Sequence, residues 1–427
     1  MLCGRADSRA YIIVAVFTVL QLLLLLIFGY TPFPDSEGYI ALAAECAGSH
    51  DWYPMARSMH ELAFVWNVGA VNIVVLFLRL TGSVTLLLVL YSLLKGVTAL
   101  LLYRIVSCLA DGRVALTALL LYVLYPANYG EGTSVLSETP FIFFALLGVL
   151  LALRNRYLAA GVVLAFANWI RPMGLVFLLS LLLYVLYGRK SVLQRCSRLV
   201  MGYVLLVFVL GGACWLRTGR FIYQARTGWM ALLQYSWDNS ARTDADYIMF
   251  PDGDPAYIDD SAGYDCCEKD SVWQARFFGW LGNHKKDYIC QMPGKLAATF
   301  VSDNVNFCTY LPDKRSREYM YDELGMVSLF ADFPHYSAVQ IVTVCNLLYY
   351  YLLLVLAAAG IVTAVRKRWL SGLVLSCPVI VLSLAVLLFF GHGEARFHQP
   401  IMPFIIMLSG FFVADRGYLC IFDKNSI

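Results

Sequence analysis

Apolar residues in this chain come in long blocks, parted by short polar segments. The first block, YIIVAVFTVLQLLLLLIFG (11–29), has one polar side chain of any size, Gln21. A bilayer core of about 30 Å takes roughly 20 apolar residues in a helix. Blocks approaching that length fall at about 11–29, 83–107, 114–128, 139–153, 157–169, 172–187, 199–216, 340–365, 370–390 and 397–414. The pattern predicts an all-α polytopic membrane protein with about ten transmembrane helices. The first block is too long for a signal-peptide core and ends in FGYTPFP, not at a small-x-small site, so it reads as a retained anchor.

Basic residues orient the spans. Arg5 and Arg9, Arg104 and Arg113, Arg154 and Arg156, GRKSVLQRCSR (188–198), RKR (366–368), and Arg416 and Lys424 all fall on alternate loops. The positive-inside rule assigns that side to the cytoplasm. The opposite short loops, YPANYGEGTSVLSE, NWIRP and GHGEARFHQ, are nearly free of Lys and Arg. Two stretches are read to keep this alternation. ELAFVWNVGAVNIVVLFLRL (61–80) becomes an interfacial or re-entrant helix in a first outer loop, 30–82. Residues 157–187 become a hairpin turning at Asn168–Arg171.

Three regions follow: an N-terminal transmembrane module (1–216) containing that loop, a large outer cap segment (217–338), and C-terminal transmembrane helices (339–427). The cap is too aromatic for disorder. Its Trp229, Trp237, Trp273 and Trp280 read as core ahead of sugar-stacking platforms.

Composition narrows the classes. The chain is 60% hydrophobic and 14% charged, with a net charge of +3. That balance offers nothing to a nucleic acid. There is no zinc-type cysteine cluster, phosphate loop or helix-turn-helix pattern. Asp252 and Asp254 in PDGDP are the one pointer to a divalent cation, and a turn explains them as well. Cys290 and Cys308 could form a disulfide in an oxidising compartment.

The remaining chemistry gathers at the outer ends of the spans. TPFPDSEGYIALA (31–43) places Asp35, Glu37 and Tyr39 just past the first span. SETP puts Glu138 at the mouth of another, where it could cap its helix. NWIRPMG places Arg171 at a hairpin tip. GHGEARFHQPIMP brings His392, Glu394, Arg396 and His398 to the start of the last span, and Lys95 lies inside the second. Ionisable groups at membrane depth are costly and usually functional, although an Arg or Lys near a helix end can simply snorkel.

PDSEGYIALA, LSETPFIFFALLG, NWIRPMGLVFLL and GEARFHQPIMPFIIML, in this order and on one side, resemble the GT-C superfamily of integral-membrane glycosyltransferases. The nearest branch is the bacterial one described as family-39-like or RgtA/B/C/D-like. The resemblance covers the whole layout. It implies a polyprenyl-phosphate sugar donor, a lipid or glycan acceptor, and a site facing the periplasm from a bacterial inner membrane. Many relatives place a second acid beside the first or in Asp-x-Asp; here the order is Asp35-Ser36-Glu37, which leaves the base open between Asp35 and Glu37, with Asp35 favoured by position. A general base would accept the acceptor's proton. Arg396, then Arg171, then Lys95 would stabilise the leaving phosphate. Glu138, Tyr39, His392, Glu394 and His398 would support them. A flippase, another transporter or a lipid-linked glycan polymerase would also place charges at an outer mouth. The first two predict internal repeats and charges deep in several spans, and the chain has neither pattern.

Overall fold

The computed structural model describes residues 7–130, 132–188, 191–237, 257–259, 262–303, 310, 338–390 and 395–417. They form a helical bundle with three further helices at one end. In order these are α1 (Ser8–Phe28), α2 (Pro34–Gly48), α3 (Val68–Thr81), α4 (Thr85–Leu109), α5 (Gly112–Val123) and α6 (Ala127–Gly130). Next come α7 (Glu138–Leu153), α8 (Tyr157–Ile170), α9 (Gly174–Tyr187) and α10 (Val192–Thr218). The added helices are α11 (Gly228–Trp237), α12 (Cys266–Asn283) and α13 (Lys285–Phe300). The chain closes with α14 (Ala338–Arg366), α15 (Leu370–Phe390) and α16 (Met402–Asp415), the last entered through a 3-10 segment, Ala395–Ile401.

Six helical segments among the described residues are long and apolar enough to cross a membrane: α1, α4, α10, α14, α15 and Ala395–Asp415. The other expected spans differ. α5, α7, α8 and α9 are apolar but only 12, 16, 14 and 14 residues long. At 1.5 Å per residue they reach roughly 18–24 Å, short of a 30 Å core. The block expected at 114–128 is broken near Pro126, which cannot continue the hydrogen-bond ladder, so α5 ends at Val123 and α6 is a separate turn. α3 has 14 residues, and its N-terminal half, Val68 to Val75, is the buried part.

Local chemistry sets several ends. Asp111 caps α5 by accepting from the Arg113 and Val114 amides at 3.0 Å. Asp265 and Glu268 form a capping box on α12. At Arg171 the backbone turns extended, which ends α8. The chain then reverses: Leu175 N donates to Asn168 Oδ1 at 3.2 Å, and Tyr157 from the start of α8 lines one cavity of about 190 Å³ with Tyr184 and Tyr187 from the end of α9.

Small residues let the bundle close. A Cβ at Gly161 would collide with the Leu199 carbonyl on α10, and one at Gly202 with the Leu158 carbonyl on α8, so the two backbones touch. Gly360 on α14 meets the Leu408 carbonyl of α16 in the same way. At one end of the bundle, Arg104 Nη2 reaches Tyr11 Oη at 2.6 Å and Lys367 pairs with Asp415 at 2.7 Å. The opposite end carries α2 and the three added helices.

Those added helices have their own small core of Met230, Leu232, Leu233, Trp273, Phe277, Trp280 and Tyr288, joined by Phe64. Trp229 packs at its edge; the side chain of Trp237 lies outside the described residues. Arg226 N donates to Val65 O at 2.8 Å, which ties this core to the segment after α2.

Candidate functional site

The chain leaves α1 through Gly29 and enters α2 at Pro34. Proline suits the first helical position because its missing N–H would be unpaired there anyway. Asp35 follows at once, in the first turn, where the helix dipole favours an anion. Residues 35 and 37 stand about 200° apart around a helix, so one surface cannot use both. Asp35 turns toward the protein. Glu37 is exposed.

Asp35 Oδ2 pairs with Arg396 Nη1 at 2.6 Å, across 361 residues of sequence. Both side chains keep some exposure, 20% and 14%. The Arg396 guanidinium lies 5.4 Å from the centre of the Phe33 ring and 5.8 Å from that of Phe397. Arg171 stands 5.6 Å from the same Phe397 ring. It pairs with Glu138 at 2.8 Å and donates to Ser137 Oγ at 2.9 Å. Glu138 is almost fully buried, so Arg171 is an internal counter-ion and not a snorkelling anchor. Ser137 makes no side-chain cap; its hydroxyl donates to Glu138 Oε2 at 3.2 Å, so an ion pair takes the place of the expected capping role.

Tyr39 sits one turn along α2 from Asp35. It is buried, stacks edge-on against Trp66, and accepts from Asn67 Nδ2 at 3.0 Å. Burial, then the Asp35 and Glu138 carboxylates, push its phenol well up, against the smaller pull of Arg171 and Arg396. The four charges therefore surround one neutral phenol, and their formal sum is zero.

The structure gives Lys95 a different setting. Its Nζ donates to the Asn128 carbonyl at 2.6 Å, an acceptor shared with Gln21 Nε2 at 2.9 Å. This is how a lysine inside an apolar helix is accommodated. His392 and Glu394 lie outside the described residues, as do Asp252, Asp254 and Cys308. Cys290 is an exposed free thiol, and the conceivable Cys290–Cys308 pairing falls outside the described residues. Among the described residues, no group of three or more His, Cys, Asp or Glu side chains could hold a metal ion.

His398 belongs to a buried cluster that the sequence does not announce. Its Nδ1 lies 2.7 Å from the Thr299 carbonyl and its Nε2 3.0 Å from Asp303 Oδ1. Each ring nitrogen therefore faces an oxygen. Asp303 also accepts from Gln399 Nε2 at 2.9 Å, Asn346 Nδ2 at 2.8 Å and the Tyr125 hydroxyl. These four donors saturate the carboxylate. Phe300 and Tyr350 stack on the ring at 5.7 and 4.8 Å. The cluster joins α13, α14, the α5–α6 turn and the 3-10 segment. It thereby anchors the segment that presents Arg396.

Neither protein-family models nor curated proteins match this chain.

Proposed function

We propose that this chain is a membrane glycosyltransferase that moves a sugar from a polyprenyl-phosphate donor to a lipid or glycan acceptor. In this reading the shorter apolar helices also cross the bilayer, giving about ten spans. The site then faces the periplasm from a bacterial inner membrane. The observation that carries the reading is the Asp35–Arg396 pair at 2.6 Å. It joins an acid just past the first span to a cation just before the last.

Paired, the two groups neutralise each other, and the donor changes that. Its phosphate competes for Arg396, because guanidinium binds phosphate through two hydrogen bonds in one plane. Asp35 is then released to accept a proton. The acceptor hydroxyl attacks the anomeric carbon while the bond from that carbon to the phosphate oxygen breaks. The hydroxyl proton passes to Asp35. The bonding electrons leave on the polyprenyl phosphate, whose added charge Arg396 stabilises. One displacement inverts the anomeric configuration. The buried Arg171–Glu138 pair fixes Phe397, against which Arg396 rests. A polyprenyl tail stays in the bilayer because leaving exposes apolar surface to water, so the site must meet the phosphate at the membrane surface.

The test is transfer from radiolabelled polyprenyl-phosphate sugars by purified wild type, Asp35→Asn and Glu37→Gln. Folding is checked by thermal shift. Asp35→Asn should lose at least about a hundredfold, the low end for a missing general base. Glu37→Gln should stay near wild type. A flippase or polymerase reading replaces this one if a lipid-linked oligosaccharide is bound or moved with Asp35→Asn intact.

A further inference from the structure

Lys295 is one of three buried lysines among the described residues, with Lys95 and Lys269. It is 4% exposed, and its Nζ has no hydrogen-bond partner. Its near neighbour is the Tyr288 ring, 5.0 Å away. Burial pushes its ammonium down to about 8. The side chains around it also leave polar atoms unpartnered. Gln291, one turn earlier on α13, binds α11 by donating to the Ser236 carbonyl at 3.0 Å, yet its Oε1 is buried and unpartnered. The Ser236 hydroxyl is likewise unpartnered. Each such group costs about 1–3 kcal/mol when left dry and unpaired, and native structures carry few.

The place of this cluster in the fold points to an occupant. Tyr288, Gln291, Lys295 and Thr299 form one stripe of α13, facing the protein. Beside that stripe Ile289, Pro293 and Leu296 are exposed, Ile289 by 61% and Leu296 by 40%. α13 is also tied to the end of a membrane-length helix, since the Tyr288 hydroxyl donates to the Phe389 carbonyl in the last turn of α15. Thr299, at the far end of the stripe, supplies the carbonyl that meets His398. α13 therefore packs at the end of the bundle where α15, a helix long and apolar enough to cross a membrane, ends. It carries an apolar edge beside a buried cation. In-plane helices of this make lie at the headgroup boundary. The unpartnered set contains donors, Nζ and a hydroxyl, and an acceptor, Gln291 Oε1. A phosphate oxygen would satisfy the donors, and an acyl chain would cover Ile289 and Leu296.

We propose that Lys295, with the Ser236 hydroxyl, binds the phosphate of an anionic lipid headgroup whose acyl chain lies along Ile289 and Leu296. Its residues are other than Asp35 and Arg396, and it does not depend on sugar transfer.

The experiment uses the full chain in zwitterionic detergent. Dioctanoyl phosphatidic acid, dioctanoyl phosphatidylcholine and inorganic phosphate are titrated into wild type, Lys295→Met, Lys295→Arg and Arg396→Gln, and binding is read by native mass spectrometry and calorimetry. Wild type should bind phosphatidic acid more tightly than phosphatidylcholine. Lys295→Met should weaken it at least about tenfold, the scale of a lost charge-assisted hydrogen bond. Lys295→Arg and Arg396→Gln should retain it. Lys295→Met removes an unpaired buried amine, so its thermal midpoint should not fall, and lost binding cannot then be ascribed to unfolding. Equal binding of phosphatidic acid by Lys295→Met, or none by wild type, overturns the proposal. So does inorganic phosphate binding as tightly as phosphatidic acid, which would make this a free-anion site.

Discussion

Glu138→Gln is the substitution for which the structure gives the clearest magnitude. Glu138 and Arg171 pair at 2.8 Å with side chains 1% and 10% exposed. Glutamine keeps the shape and removes the charge. Arg171 is then a buried cation whose hydrogen bond to Ser137 remains but whose counter-ion is gone. Breaking one side of a buried pair costs about 3–5 kcal/mol, because the surviving charge is uncompensated. A second effect adds to it. Arg171 and Arg396 stand 5.6 and 5.8 Å from the centre of one ring, Phe397, and without Glu138 the group of charges becomes net positive. Removing both charges relieves both costs. The double variant Glu138→Gln, Arg171→Met should therefore be less destabilised than Glu138→Gln alone, with a coupling energy of about 2–3 kcal/mol. The assay is equilibrium unfolding in mixed micelles, titrated with dodecyl sulfate and followed by tryptophan fluorescence. The three variants form a double-mutant cycle. If the single losses simply add, or if Glu138→Gln costs less than about 0.5 kcal/mol, a surface value, the pair is not the buried counter-ion described.

Three other outcomes follow from particular contacts. Asp303→Ala removes the acceptor of four donors and strands His398 beside the Thr299 carbonyl; it should cost about 3 kcal/mol or more in the same unfolding assay, and His398→Ala should add little on top. Gly360→Val forces a side chain into the Leu408 carbonyl, so the fraction of monodisperse protein recovered in detergent should collapse, while Gly212→Val, which meets open space, should leave it unchanged. The folded Lys295 loses its proton near pH 8 and the unfolded one near 10.4, so the unfolded state binds more protons in between. Wild-type stability without anionic lipid should accordingly rise across that window relative to Lys295→Met; equal slopes would show that Lys295 is not desolvated.

The blocks of apolar residues by themselves determined a helical membrane-type protein, because lipid admits only helices and closed barrels, and unbroken apolar runs lack the alternation of barrel strands. They also located every helix later seen among the described spans, and Asp35, Arg171 and Arg396 were visible as charges where charge is expensive. Span number was less legible. Hydropathy reports how apolar a block is, not where its hydrogen-bond ladder stops: Pro126 cuts a block that read as continuous, whereas the turn at Asn168–Arg171 was legible from the alternation of basic loops. Which charges meet was decided by the tertiary structure alone. Asp35 and Arg396 are brought together by the packing of helices from opposite ends of the chain. Glu37 is set aside by the 100° step of one helix. Asp303 has an unremarkable local sequence, VSDNV, and becomes a buried hub only because α14, the α5–α6 turn and the 3-10 segment converge on it with four donors. Local composition can price a buried charge, but only the fold supplies its partner.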